Sequence, residues 1–132
     1  NIEYVSPDEN YDEFCRINKN NEKRRALCKL FATLTKHGIL AVNDTLDLII
    51  GLFDKLVTHI DVPNHINQNE EISENIFLFV QTVNRYGYAA GNTKWETITT
   101  HIGHFANELK AKEHISLTNK MVFQMEDLMD EL

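Results

Sequence analysis

Glycine and proline are scarce in this chain, five and two among 132 residues. Many-stranded sandwiches and barrels turn often and need those residues, so their shortage argues against such folds and for helices. The two cysteines, Cys15 and Cys28, form neither a disulfide framework nor a metal or redox motif, which fits reduced thiols in the cytoplasm or, as a second choice, the nucleus. No run reaches the roughly 18 to 20 apolar residues of a membrane span, and no basic-then-apolar leader opens the chain, so no membrane association is expected. Positive charge is also short. Thirteen Lys and Arg against 20 Asp and Glu give a net charge of −7, which disfavours nucleic-acid binding by the surface as a whole. The first residue, Asn1, is not Met, which fits a piece of a longer protein, and the 14 asparagines suggest an AT-rich genome.

What is present is an ordinary apolar fraction, 42%, enough for one folded interior in a single domain spanning residues 1–132. Ser6-Pro7-Asp8-Glu9 reads as a helix start, leading a weaker N-terminal helix or arm over residues 1–20. From about Asn20, Leu27, Leu30, Phe31 and Leu34 keep a helical period up to Gly38. Asn43 or Asp44 caps a second stripe, Leu46, Ile49, Ile50, Phe53, Leu56, Val57 and Ile60, which ends at Val62-Pro63. After a polar connector, 64–69, the stripe Ile72, Ile76, Phe79, Val80 and Val83 runs to Gly87, with Phe77 and Leu78 making it apolar on several sides. Trp95, Ile98, Ile102, Phe105, Ala106 and Leu109 form a fourth helix. Ser116 caps a fifth, with Leu117, Met121, Met125, Leu128 and Leu132, where Met121, Met125 and Met129 at i, i+4 and i+8 suit a core seam. Leu46, Ile50, Phe53, Phe79, Phe105 and Leu128 are expected in the core. Helical hairpins recurring about every 50 residues suit an all-α, HEAT-like α-solenoid of about five helices over residues 21–132, with a compact helical bundle as the alternative.

Catalytic signatures are missing: there is no phosphate loop, nucleophile elbow or H-E-x-x-H, so no enzyme, catalytic residue or cofactor is expected. His101, His104 and Glu108 fall within about 60° of one helical face, as metal ligands would, but that arc points roughly 115° from the apolar stripe and reads as a polar surface. No metal site is expected. His59 and His65 read as a helix-end contact and a loop residue. Lys19, Lys23, Arg24 and Arg25 make the one basic cluster, in which Lys23, Arg24 and Arg25 are candidates for contact with RNA or an acidic partner. They lack interleaved aromatics.

Two stretches, Leu30-Phe31-Ala32-Thr33-Leu34-Thr35-Lys36-His37-Gly38-Ile39-Leu40 and the segment from Ile115-Ser116-Leu117 through Gln124-Met125-Glu126-Asp127-Leu128-Met129, resemble the middle domain of the translation initiation factor 4-gamma scaffold family. The resemblance runs from about Asn21 to Asp130 and corresponds to the C-terminal half of that HEAT-type domain. It implies a scaffold in translation or RNA processing that clamps a DEAD-box RNA helicase of the initiation-factor type, with RNA met through the helicase complex. In such stacks the interhelical turns and helix ends carry the contacts. That places Lys36, His37, Arg85, Tyr86, Tyr88, Lys120 and Glu126 as partner-binding candidates, Arg85, Tyr86 and Tyr88 first because Tyr and Arg dominate interface hot spots. The alternative is a helical module, viral in origin, that binds an unrelated protein or itself as a homodimer.

Overall fold

A computed structural model describes residues 2–132, and among them every regular element is helical. The elements are α1 (Tyr11–Lys36), α2 (Val42–His59), α3 (Ile66–Tyr86), α4 (Thr93–Asn107) and α5 (Asn119–Glu131), with one 3-10 turn at Ala111–Glu113 before α5.

The first helix differs from expectation at both its start and its face. Ser6 does not open a helix: its hydroxyl and carbonyl accept from the amides of Asp8 and Glu9, closing a turn. Asn10 is the cap instead, its side chain accepting from the Glu13 amide at 3.1 Å, with Asp12 and Glu13 beside the positive end of the helix. From there α1 runs unbroken through Asn20 and Asn21, so residues 11–20 belong to the same helix as the stretch that follows and no boundary falls at residue 20. Two asparagines mid-helix cost about 0.5 kcal/mol each relative to alanine. Burial of Ile17 before them and of Cys28, Ala32 and Thr35 after them outweighs that cost, and Asn21 gains a bond from Arg24. Half of the apolar stripe read from the sequence faces outward, Leu27 and Leu30 being 45% and 47% exposed, while Phe31 and Leu34 are half-buried and Phe31 packs against the core. The packed face is the one with small side chains at Cys28 and Ala32, which admit a close neighbour.

That neighbour is α3. Arg25 bonds to Glu71 and Cys28 to Asn75, while farther along Thr33 meets Tyr86 and Ala32 meets Tyr88, so α1 and α3 run in the same direction. Thr118 to Glu70, Gln124 to Glu74 and Gln81 to Glu131 set α5 parallel to α3 on its other side. Asn92 to Asn43 and Lys94 to Asp47 set α4 parallel to α2. Two layers result: α1, α3 and α5 form one, α2 and α4 the other. The expectation that α3 is surrounded holds, since it packs on α1, α2 and α5.

The core lies between the layers. Leu46, Ile49, Phe53 and Leu56 of α2, Ile76, Phe79 and Val80 of α3, Ile98, Ile102 and Phe105 of α4, and Met121, Met125 and Leu128 of α5 are buried. Ile50, expected with them, is half-buried, Val57 is exposed, and Met129 leaves the methionine seam for the surface.

Helix ends explain the remaining shifts. Gly38 and Gly87 have φ of 77° and 75°, conformations glycine alone adopts cheaply, and they stop α1 and α3 as the sequence predicts. After α1 the Ile39 amide bonds to the Leu34 carbonyl and the Gly38 amide to that of Thr35, closing the last turn. Ala41, not Asn43 or Asp44, precedes α2, and Asn43 bonds to Asn92. Thr118, not Ser116, caps α5 by accepting from the Met121 amide. Ser116 is buried and donates its hydroxyl to the Val62 carbonyl. The supposed connector 64–69 is mostly helix, because α3 already begins at Ile66.

Candidate interaction surface

The two layers bring five of the seven partner-binding candidates to one edge, where α1 and α3 end. The Lys36 ammonium stands 4.5 Å over the Tyr86 ring, and Tyr86 stacks on Tyr88 with centroids 6.4 Å apart. Tyr86 shares a 3.1 Å hydrogen bond with Thr33, and Tyr88 donates to the Ala32 carbonyl at 2.9 Å. Burial pushes the Tyr88 phenol above its ordinary value. Tyr88 therefore ties the α3–α4 turn to the end of α1 and offers only part of its ring, whereas Arg85 and His37 beside it are exposed. The edge offers two exposed cationic side chains, Lys36 and Arg85, around a half-buried pair of phenols, a surface suited to an acidic or aromatic partner.

Lys120 and Glu126 lie elsewhere. Lys120 stands at the start of α5, in a cleft with Glu70, Glu71, Glu74 and Arg25, and Glu126 lines a groove beside Phe123 and Lys110. Parallel packing of α5 on α3 puts the beginning of α5 at the edge opposite Gly87. The seven residues thus do not make one surface.

The basic cluster is also divided. Arg25 forms a two-point ion pair with Glu71, which is 6% exposed, and that carboxylate holds the guanidinium above its ordinary pKa. Arg24 donates to Asn21 at 2.8 Å and faces a different cleft. Lys23 is exposed on α1. One helical turn of three consecutive basic residues points them in three directions, so they form no continuous basic patch.

His101 stacks on Phe53, centroids 5.3 Å apart, while His104 pairs with Glu108 one turn on. Among the described residues no group of three His, Cys, Asp or Glu side chains is placed to hold a metal ion. Among the same residues no helix is long and apolar enough to cross a membrane.

Residues without any motif signal build the opposite edge. Asn69, fully buried, donates its amide to the carbonyls of His59 and Ser116, both at 3.0 Å. The Ser116 amide donates to the Ile60 carbonyl at 2.8 Å, and His114 meets Asp61 at 2.7 Å. These bonds join the α2–α3 turn to the α4–α5 loop. Sequence spacing alone cannot find them, because each joins residues of different helices or loops. No known protein family, curated protein or solved structure matches the chain.

Proposed function

We propose that this chain is a protein-interaction scaffold, a short HEAT-like solenoid of two helical hairpins and one further helix, that binds a DEAD-box RNA helicase of the initiation-factor type. The observation that carries this reading is the repetition of its contacts. Side-chain bonds between equivalent helices join residues mostly 46 to 51 positions apart, from Arg25–Glu71 at one end to Gln124–Glu74 at the other. A chain that stacks like units at a fixed period leaves its interhelical turns along the edges, free to meet a partner. The partner's identity rests on the resemblance of the two motif stretches to the initiation-factor middle domain.

Within this reading the binding residues are Lys36, His37, Arg85, Tyr86 and Tyr88, and RNA is met through the helicase. Three features support the second point: the net charge of −7, the engagement of Arg25 by Glu71 and the dispersal of Lys23, Arg24 and Arg25. The test is titration of an initiation-factor DEAD-box helicase against the protein by calorimetry. The parent binds, and Arg85→Glu weakens binding at least tenfold, about 1.4 kcal/mol, with helicity unchanged. Tyr88→Phe, which removes the hydroxyl that bonds to Ala32 and keeps the ring, separates stability from recognition. Absence of binding by the parent, or equal binding by Arg85→Glu, sinks the reading.

Self-association is a second reading, favoured by the outward row of Leu27 and Leu30 on the outer helix of its layer. Light scattering across concentration tests it: a dimer that Leu27→Glu with Leu30→Glu converts to monomer supports it, and a monomer at every concentration rejects it.

A further inference from the structure

α1 and α5 are the outer helices of their layer, and each turns a row of exposed side chains away from α3. On α1 the row is Lys19, Lys23, Leu27 and Leu30. On α5 it is Asn119, Phe123, Glu126 and Asp130, with Phe123 57% exposed. At 100° per residue each row stays within about 80° of arc, and each spans about 16 Å of helix. Glu22 and Lys120, which carry the opposite charge on these helices, lie about 90° round from the middle of their rows. Among the described residues, none of Lys19, Lys23, Glu126 and Asp130 has an ion-pair partner within the chain.

The two rows match each other better than either matches itself. Set antiparallel with Leu27 on Phe123, they bring Lys23 to Glu126 and Lys19 to Asp130, while Leu30 covers the start of α5 at Asn119. Set parallel over the same length, they place the lysines on Asn119 and Phe123 and the carboxylates on the leucines, which strips water from four charges without pairing them. Against its own copy, the α1 row lays Lys23 on Leu27, and the α5 row lays Glu126 on Phe123, with the same defect.

We propose that a second copy of this chain docks the outer face of its α1 antiparallel across α5, head to tail. The proposal rests on the self-association reading and supplies the counter-surface for Leu27 and Leu30. Phe123 provides the apolar contact, and the two lysine–carboxylate pairs fix direction and register, because exposed ion pairs add specificity more than strength. α1 and α5 lie on opposite sides of α3, so one partner cannot cover both faces. Each docked copy therefore leaves one α1 and one α5 open for the next, and growth is open-ended.

The experiment is light scattering on the whole chain from about 10 µM to about 1 mM, a range suited to a contact of small area. The weight-average mass of the parent is expected to rise past that of a dimer. Lys19→Glu with Lys23→Glu, and separately Glu126→Lys with Asp130→Lys, give both rows one sign of charge, and each pair of changes is expected to weaken association at least tenfold. All four residues are exposed, so helicity by circular dichroism is expected to match the parent. An equimolar mixture of the two variants restores opposite charges across the contact and is expected to regain the parent's mass. A parent that is monomeric over the whole range overturns both this proposal and the self-association reading. If Glu126→Lys with Asp130→Lys associates like the parent while Leu27→Glu with Leu30→Glu is monomeric, α1 pairs with α1: the proposal is overturned and the self-association reading stands. A parent that stops at the dimer, or a mixture that stays monomeric, overturns the proposal as well.

Discussion

Single residues here matter by what they satisfy across the fold. Asn69 fills two carbonyls of separate loops from a fully buried position. Removing it leaves the Ser116 carbonyl without that donor, so Asn69→Ala is expected to lower unfolding free energy by about 2 to 3 kcal/mol in urea titration. A loss below about 0.5 kcal/mol would mean that the two loops are held by other contacts. Cys28 gives a pH signature. Burial pushes its thiol up to about 11 from an ordinary 9.0, so folding favours the neutral form. That contribution is complete below pH 9.0 and is lost as pH rises through about 11. The urea midpoint is therefore expected to fall between those values, and to fall less in Cys28→Ala. At neutral pH an alkylating reagent reaches the half-buried Cys15 well before Cys28.

At the scale of elements, α1 and α3 are joined by an ion pair whose two members differ in exposure. The Arg25 side chain is 41% exposed and that of Glu71 is 6% exposed, so deleting the arginine strands a carboxylate that water cannot easily reach. Arg25→Ala is expected to destabilise by about 2 kcal/mol, and Arg25→Ala with Glu71→Gln by less than the single change. Equal or greater loss in the double variant would show that the pair contributes net attraction beyond relief of the stranded charge. The outward-facing Leu27 and Leu30 of the same helix carry no such burden.

For the whole molecule, α1 and α5 flank α3 on opposite sides, and the proposed stacking of hairpins predicts that stability spreads through neighbours. Ile17→Ala in α1 and Leu128→Ala in α5 each remove a buried side chain, with an expected loss of about 2 to 4 kcal/mol. Their effects are expected to add within about 0.5 kcal/mol in the double variant. Thermal or urea unfolding of the four proteins measures this, and coupling above about 1 kcal/mol would point to a single compact unit instead of stacked hairpins.

Apolar periodicity by itself determined the all-helical class, the stripes of α2 through α5 and the stops at Gly38 and Gly87, because these depend on neighbours within one or two turns. It misjudged part of α1, where Leu27 and Leu30 face outward while Phe31 of the same stripe packs against the core. Only packing decided that the smaller Cys28 and Ala32 turn inward, since a close approach to α3 depends on shape as well as hydrophobicity. The same holds for the surfaces. Arg85, Tyr86 and Tyr88 were legible as an edge because they surround one turn, but their union with Lys36 and their separation from Lys120 follow from the parallel setting of α1, α3 and α5. His59, His65, Lys55 and Arg24 share a cleft for the same reason: the helices that carry them meet only in the folded chain, and no local sequence rule reports such a meeting.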